Sequence, residues 1–161
     1  MKRIGVISDT HGHLPQQIYT FFHDCDEIWH AGDIGPGVAQ ELSAFKPLRA
    51  VWGNIDHHDL HYLYPKVSIF ELEGQKVVMT HIGGYPRHYA PQIKQLLQQE
   101  RPQIFVSGHS HILKVMYDHD LQLLHINPGA AGRQGFQKVD TLVRFTLDPH
   151  PKDLEILEFP K

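Results

Sequence analysis

Five short apolar segments mark the first part of this sequence, and each is followed at once by a residue type that binds metal ions. Apolar runs of this length, bounded by turn residues, are typical of buried strands. Stretches with helical spacing of apolar residues separate several of them, so strand and helix alternate as in a parallel sheet. The chain is therefore constrained to an α/β fold. The five segments are residues 2–8, 27–31, 48–52, 76–80 and 103–107.

The residues that follow these segments carry carboxylate, amide or imidazole groups. In an open α/β sheet the carboxyl ends of the strands border one crevice, and ligands bind there. We therefore expect these side chains to lie close together although they are far apart in the chain. They offer more oxygen and nitrogen donors than one metal ion needs, and about the number that two ions need. The seven residues are Asp9, His11, Asp33, Asn54, His81, His109 and His111.

The predicted architecture is a four-layer αββα sandwich, with two mixed β-sheets packed face to face and flanking helices, in a single domain over residues 1–161. Helical spacing predicts helices over 14–24, 37–45 and 89–99. Residues 67–73 and 76–80 flank Gly74-Gln75 and are predicted to form a hairpin. The segments 56–65 and 82–88 are predicted as surface loops at the ligand end, where substrate contacts are often found. Further strand-like runs follow at 113–117, 121–126, 141–147 and 154–159.

Composition and charge restrict the class of protein. The 161 residues are 41% hydrophobic and 20% charged, and this length is sufficient for one hydrophobic core. The net charge of −3 favours neither nucleic acid nor an anionic membrane as a partner. The single cysteine, Cys25, excludes an internal disulfide and fits a reducing compartment. We see no signal peptide and no apolar stretch of membrane-spanning length, so we expect a cytoplasmic protein.

The polar residues at the strand ends fall into ordered motifs. These are Asp9-x-His11, Gly32-Asp33, Gly53-Asn54-x-Asp56, His81, Gly108-His109-x-His111 and Asn127-Pro128-Gly129. Their order and chemistry resemble the calcineurin-like metallophosphoesterases and, within that superfamily, the small single-domain bacterial and archaeal phosphodiesterases. The resemblance covers nearly the whole chain. A single Asp-x-His is a weak signal, whereas several motifs in the right order at predicted strand ends are specific.

The resemblance implies a centre of two divalent metal ions that are bridged by Asp33. Nitrogen and oxygen donors without a thiolate suit manganese, iron, zinc, nickel or magnesium, and manganese is the expected ion. A hydroxide that bridges the ions would attack phosphorus in line. The expected catalytic residues are Asp33, Asn54 and His109. The remaining ligands divide between the ions, with Asp9, His11 and His111 at one and Asn54, His81 and His109 at the other.

One position departs from the family pattern. Many members have a histidine directly after the asparagine, where it protonates the leaving alcohol; here Ile55 stands at that position and cannot donate a proton. A general acid contributes typically about 10²–10⁴-fold, so its loss should affect poor leaving groups most. His57, His58 or His61 could replace it, or these histidines could belong to a solvated loop. The small phosphodiesterases often lack that histidine too, so a phosphodiesterase is favoured over a monoesterase.

Four further residues are candidate substrate contacts, and one supports the ligands. Arg87 is the first candidate because a guanidinium group binds phosphate oxygens in a bidentate manner. Tyr85 and His88 lie in the same predicted loop, and Arg133 stands where relatives commonly carry an arginine. Asp56 is predicted to form hydrogen bonds that hold the ligand loops in place, without binding metal itself.

Two functions of different classes follow from these residues. The first is a metal-dependent phosphodiesterase that acts on a small phosphodiester. The second is a metal-binding protein-interaction scaffold of the same fold with little or no turnover, as in the retromer subunit that resembles these enzymes. A nucleotide-binding module is disfavoured because no Gly-x-Gly-x-x-Gly follows the first strand. The sequence does not identify the natural substrate. It is compatible with a monomer and with a homo-oligomer.

Overall fold

Ten strands and four helices make up the structure, a computed structural model that describes residues 1–161. The strands are β1 (Lys2–Ile7), β2 (Glu27–His30), β3 (Leu48–Ala50), β4 (Val67–Leu72), β5 (Gln75–Thr80), β6 (Ile104–Val106), β7 (Leu113–Asp118), β8 (Leu123–Pro128), β9 (Val139–Asp148) and β10 (His150–Pro160). The helices are α1 (Gln17–Phe21), α2 (Val38–Phe45), α3 (His58–Leu63) and α4 (Pro91–Glu100).

The strands form two mixed five-stranded sheets. The first sheet has the order β10-β9-β1-β2-β3, and the second has the order β4-β5-β6-β8-β7. In the first sheet β1, β2 and β3 are parallel, and in the second β5, β6 and β8 are parallel. The other strands add antiparallel pairs. The parallel strands of each sheet therefore end at one common edge, which is where the polar motifs begin.

Three apolar clusters arrange the sheets and helices in layers. The first lies between the sheets, where Trp29 and Phe145 of the first sheet are buried in one cluster with Met79 and Val106 of the second. The second cluster covers the outer face of the first sheet with residues of α1 and α2. The third packs α4 onto the outer face of the second sheet. These layers confirm the predicted α/β fold of two face-to-face sheets with helices outside.

The helices α2 and α4 lie within two residues of their predicted bounds. Gly37 precedes α2 with a φ of 83°, a conformation that glycine adopts without strain. α4 begins with Pro91, a residue favoured in the first turn, and Arg101 ends it with a φ of 51°. The helix predicted over 14–24 is much shorter in the structure, where α1 has five residues. It has no side-chain cap and buries only one side chain, so little stabilises a longer helix.

The prediction of a loop over 56–65 is wrong, because α3 occupies six of these residues. None of its side chains is fully buried, although Leu60 and the following Tyr64 pack against the outer cluster of the first sheet. A helix of six residues with so few packed side chains shows no regular spacing of apolar residues in the sequence. The hairpin of β4 and β5 is confirmed, with its two-residue turn at Glu73-Gly74, one residue earlier than predicted. The segment 82–88 contains no helix or strand, as expected.

Two buried histidines predict how stability depends on pH. Burial lowers the pKa of both His30 and His125 to about 4. Because histidine in the unfolded chain titrates near 6.5, the neutral rings stabilise the fold fully above that pH, and this contribution is lost as the pH falls towards 4. We expect the protein in chelator to lose on the order of 3 kcal/mol of unfolding free energy per histidine across this window, measured by urea titration.

A substitution at His125 isolates one of the two contributions. His125→Phe should reduce the loss, because a phenyl ring does not titrate and can keep the stacking on Phe105, whose ring centroid lies 5.3 Å away. His119→Phe is the control, since His119 is exposed and should leave the pH dependence unchanged. Equal losses in the native chain and His125→Phe would contradict the assignment.

Candidate metal centre

The seven predicted donors lie together at the carboxyl edges of the two sheets. Segments after β1, β2 and β3 of the first sheet and after β5 and β6 of the second carry them. Six of the seven form two groups, and the candidate ligand atoms within each group lie within 4.8 Å of one another. One group is Asp9, His11 and His111, and the other is Asp33, His81 and His109. Asn54 lies beside the second group, with Oδ1 3.1 Å from Nδ1 of His109.

Asp33 connects the two groups. Its Oδ2 atom lies 3.5 Å from Nε2 of His11 in the first group and 3.2 Å from Nε2 of His81 in the second. Its other oxygen, Oδ1, accepts a hydrogen bond from the backbone N–H of Ile55 at 3.0 Å. One carboxylate oxygen is therefore held by the backbone, and the other faces both sets of imidazole nitrogens.

Three buried atoms at the centre have no hydrogen-bond partner in the protein. They are Oδ1 of Asp9, Nε2 of His11 and Nε2 of His81. Buried polar atoms are nearly always hydrogen-bonded, so three orphaned atoms around one space indicate a ligand that completes them. Carboxylate oxygen and neutral imidazole nitrogen are suitable ligands for divalent ions such as manganese, iron or zinc. The residues therefore fit the metal ions that the donor set predicts.

Outer hydrogen bonds orient two of the imidazoles towards the carboxylates. Nδ1 of His81 lies 2.8 Å from the carbonyl oxygen of Ala31, which can only accept, so we assign the proton to Nδ1. Nδ1 of His111 lies 3.0 Å from Oε1 of Gln137 and donates to it in the same way. In both rings Nε2 is then free to bind metal, as is usual for histidine ligands.

Five of the donors have a left-handed backbone conformation. This region is uncommon for residues other than glycine, and such strained positions cluster at functional sites. Backbone hydrogen bonds hold them, since Asp9 N–H donates to Gly32 and His11 N–H donates to the carbonyl of Asp33. The φ values are 55° for Asp9, 46° for His11, 54° for Asp33, 73° for His109 and 62° for His111.

The glycines that precede donors are required mainly for space. A Cβ at Gly53 would overlap Oδ1 of Asp33, and a Cβ at Gly108 would overlap Oγ of Ser8. Neither glycine has a positive φ, so it is the close contact and not the backbone conformation that requires glycine at these two positions. Gly32 combines both reasons, with a φ of 104° and a Cβ position 2.6 Å from Nδ1 of His81.

The charges of the centre stabilise one another. Burial alone would raise the pKa of Asp9, but the imidazoles of His11, His111 and His81 around its carboxylate outweigh it and hold the pKa well below its usual range. Burial likewise opposes ionisation of Asp33, yet its contact with His81 lowers the pKa. Both carboxylates are therefore ionised at neutral pH and supply the negative charge that divalent ions need.

Asp56 supports two of the ligand loops without facing the ligand atoms. Its buried carboxylate accepts hydrogen bonds from the backbone N–H groups of Ile34 at 3.1 Å, Gly35 at 2.9 Å and Gly53 at 2.8 Å. Ile34 follows Asp33, and Gly53 precedes Asn54. These bonds join the segments that carry Asp33 and Asn54 to one carboxylate, and a positioning role for Asp56 stays a prediction.

Ile55 brings no proton donor to the centre. Its side chain is partly exposed and lines a shallow cavity together with His57. His61 is stacked on Trp52, with ring centroids 3.9 Å apart, and His58 lies on the same helix. None of these three histidines belongs to either ligand group. That one of these histidines protonates the leaving group therefore stays a prediction.

The candidate substrate contacts are distributed unevenly. Tyr85 and His88 line a cavity beside His109, with their rings 4.7 Å apart. Arg87 is exposed and lines neither of the two cavities that border the ligand groups. Arg133 is exposed in the segment that also carries Gln137. Contact of either arginine with phosphate stays a prediction.

Sequence reasoning missed several residues that shape the centre. Gln137 orients His111 from a segment 26 positions away, and the carbonyl of Ala31 orients His81. Neither contact has a sequence signal, because a backbone carbonyl has no residue type and glutamine is common in surface segments.

Loss of the Gln137 side chain should weaken metal binding. Gln137→Ala removes the acceptor of His111 Nδ1–H, so the ring can rotate and Nε2 is no longer fixed. We expect an affinity loss of about 10–100-fold for the ion next to His111, measured by competition with a chelating dye. Gln134→Ala is the control, because only the backbone carbonyl of Gln134 contacts Gln137. Equal affinities of both variants would contradict this role.

None of the four helices combines the length and apolar character that crossing a bilayer requires.

Comparison with known proteins agrees with the candidate metal site, because the matching family is one of metallophosphoesterases. The model of the calcineurin-like phosphoesterase superfamily domain matches residues 1–150. A probable metallophosphoesterase of Methanothermobacter thermautotrophicus is 35% identical over 133 residues, which cover 79% of this chain and 76% of that protein. A probable metallophosphoesterase of Mycoplasma pneumoniae is 30% identical over 135 residues, covering 81% and 79%.

Solved structures share the fold over almost the full length. An archaeal phosphodiesterase superposes with a TM-score of 0.78 at 21% identity, covering 98% of this chain and 99% of the other. Vps29 from Entamoeba histolytica, solved in complex with Zn²⁺, superposes with a TM-score of 0.69 at 16% identity, covering 97% and 98%. The fold, the clustered donors and the family match agree, and the chain belongs to the calcineurin-like phosphoesterase superfamily.

Proposed function

We propose that this chain is a phosphodiesterase that depends on two divalent metal ions. The observation that supports the proposal is the position of Asp33, whose Oδ2 atom lies within 3.5 Å of imidazole nitrogens from both ligand groups. A carboxylate in that position can bridge two ions. We assign Asp9, His11 and His111 to one ion, and Asn54, His81 and His109 to the other.

The residues of the chain hold the ions and leave one side open to the substrate. Asn54 and His109 are exposed, whereas Asp9, Asp33 and His81 are buried, so phosphate approaches from the side of Asn54 and His109. Divalent ions held by these residues would supply an activated water at neutral pH and offset the negative charge of the phosphoryl oxygens. Asp33 would hold both ions through Oδ2, and the hydrogen bond that Oδ1 accepts from the N–H of Ile55 fixes the carboxylate orientation.

Ile55 has no group that can donate a proton, and this supports a preference for diesters over monoesters. No side chain at this position can protonate a poor leaving group, so substrates with good leaving groups should be hydrolysed best. The similarity to an archaeal phosphodiesterase agrees with this preference. The proposed ion is manganese, the proposed substrate is a small phosphodiester, and the proposed location is the cytoplasm.

The test is hydrolysis of a nitrophenyl phosphodiester and of the matching nitrophenyl monoester. The purified chain is assayed with Mn²⁺ and with chelator, and its metal content is measured by elemental analysis. We expect about two ions per chain, turnover that chelator abolishes, and faster turnover of the diester. Metal-independent turnover, or none by the folded and metal-loaded chain, would refute the proposal, and faster monoester turnover would refute the diester preference.

A second candidate is a metal-binding scaffold of the same fold. The observation in its favour is the superposition with Vps29, including the form solved with Zn²⁺. The two candidates differ in turnover: a scaffold would bind metal at the same residues and hydrolyse neither ester. The intact donor set and the match to proteins named as metallophosphoesterases favour the enzyme.

A further inference from the structure

A cavity of about 430 Å³ opens beside His109. Its walls come from the 82–90 loop, the 108–112 segment, β7 and β8, and its volume is within the usual range for small-molecule sites of about 300–1,000 Å³. Of the predicted metal ligands, His109 alone lines it. We call this space the arm cavity, and its chemically distinctive lining residues are Tyr85, His88, Lys114 and His125.

The lining of the arm cavity carries a cation and no acidic residue, in a chain with net negative charge. None of its 14 lining residues is acidic, and Lys114 is the one lysine or arginine among them. The chain as a whole carries a formal charge of −3. A cation in a cleft without acidic residues attracts an anionic ligand and raises its local concentration. The cavity therefore has the charge of an anion-binding site.

Lys114 is a partly buried cation without a counter-ion. Lys76 and Lys152 pair with carboxylates at 2.7 and 3.0 Å, but Lys114 forms no ion pair and lies with Nζ 4.2 Å from the centroid of the Tyr85 ring. A ring contact orients an ammonium group and leaves its charge unneutralised. Lys114 is thus available to pair with an anion from solution.

Asp118, the acidic residue on the same strand as Lys114, is already engaged. Its Oδ2 atom accepts a hydrogen bond from the hydroxyl of Tyr89 at 2.8 Å, and Oδ1 accepts from the N–H groups of Asp120 and Leu121. These bonds engage both oxygens, and Asp118 forms no ion pair with Lys114. An anion of the protein itself therefore does not fill the role.

His125 adds an uncharged polar group to the same cavity. The side chain is fully buried, and neither ring nitrogen has a hydrogen-bond partner. Burial, assisted by the charge of Lys114, lowers its pKa to about 4, so the ring is neutral at physiological pH. A neutral imidazole can donate to an anion through one nitrogen without the cost of burying a second charge.

We propose that the arm cavity binds a second anionic group, a phosphate or carboxylate, on one ester arm of the substrate, with Lys114 as its charged partner. The inference rests on the proposed phosphodiesterase function and names its substrate class. The substrate is then a small phosphodiester whose reacting phosphorus lies at the metal centre while the anionic end of one arm reaches Lys114. Tyr85 and His88 form the wall along that arm.

The test uses three nitrophenyl phosphodiesters that differ in the second arm, which is ethyl, carboxyethyl or phosphoethyl. With the Mn²⁺-loaded chain we expect a lower KM for the two anionic arms than for ethyl, and the two anionic arms show whether carboxylate or phosphate is preferred. Lys114→Gln should raise the KM of the preferred anionic substrate about tenfold, the loss of one charge-assisted contact, and leave the ethyl substrate unchanged.

Two matched variants separate a specific role from a general one. Lys114→Arg keeps the charge and should retain most of the preference, whereas Lys94→Gln removes an exposed lysine of α4 outside the arm cavity and should change nothing. Equal KM values for the ethyl and anionic arms, or an effect of Lys94→Gln equal to that of Lys114→Gln, would overturn the inference.

A binding measurement keeps the inference distinct from the proposed function. Phosphonate analogues with the same three arms are titrated calorimetrically into the metal-loaded chain, so no turnover is needed. Absence of hydrolysis together with tighter binding of the anionic arms would refute the enzyme and support the arm cavity. Hydrolysis with equal binding of all three analogues would support the enzyme and refute the arm cavity.

Discussion

Asp33→Asn is expected to abolish most hydrolysis and to lower the metal content, with the fold retained. The two carboxylate oxygens have separate tasks, since Oδ1 accepts from the N–H of Ile55 and Oδ2 faces Nε2 of His11 and His81. An asparagine that keeps the first contact must turn its NH₂ group towards those nitrogens. It then offers a donor where a ligand is needed and no charge to offset two cations.

The expected effect is large because the proposed function assigns Asp33 to both ion positions. Loss of an outer hydrogen-bond partner costs about 10–100-fold in metal affinity or activity, and loss of a bridging carboxylate should exceed that, so kcat/KM should fall more than about 100-fold. Elemental analysis should report fewer ions per chain than in the native protein. Asp120→Asn, at an exposed aspartate of the β7–β8 turn, is the matched control and should behave as native. An Asp33→Asn chain with native metal content and kcat/KM would exclude a bridging role.

Asp56→Ala is expected to destabilise the protein strongly. The carboxylate is 7% exposed and accepts hydrogen bonds from three backbone N–H groups, those of Ile34, Gly35 and Gly53. A buried donor left without a partner costs about 1–3 kcal/mol, and partial access of water to the new cavity reduces the sum, so we expect a loss of about 3 kcal/mol. For a chain of this length that corresponds to a melting temperature lower by roughly 6–12 °C.

Metal affinity should fall in the same variant, because the loops that carry Asp33 and Asn54 lose their common support. Asp56→Asn keeps one acceptor oxygen and should give an intermediate melting temperature. The control is Asp24→Ala, at an aspartate whose side chain is 66% exposed and pairs with Arg3 at 3.5 Å. Exposed pairs contribute about 0–1 kcal/mol, so this variant should melt close to native. Similar melting temperatures for Asp56→Ala and Asp24→Ala would show that the three hydrogen bonds do not stabilise the fold.

The sequence predicted the parts of the molecule that follow from local periodicity. The helices α2 and α4, the hairpin of β4 and β5 and the two-sheet architecture were readable because each element buries one face with a regular period. The segment with α3 was not readable, since six residues with no fully buried side chain carry too short a pattern. α1 was overestimated for a related reason: apolar residues of the adjoining turns mimic helical spacing without being helical.

The donors could be predicted before the structure because their positions depend on topology alone. The carboxyl ends of parallel strands share one edge, so any donor directly after a strand, such as Asp33 or His81, is brought there whatever the details of packing. Gln137 and Lys114 could not be found in this way. Each reaches its place from an element that enters the region later in the chain, and nothing in the local sequence distinguishes either residue from an ordinary surface side chain.

By itself the sequence determined the chemistry of the centre: carboxylate, amide and imidazole groups at the strand ends, no thiolate, and Ile55 in place of a proton donor. Only the tertiary structure decided how those groups are used. It placed Oδ2 of Asp33 between two sets of nitrogens, left three buried atoms without partners, and held Lys114 beside the centre without a counter-ion. The physical reason is that residue type and strand order are properties of the chain, whereas atomic distances, burial and the pairing of charges arise only when distant segments pack together.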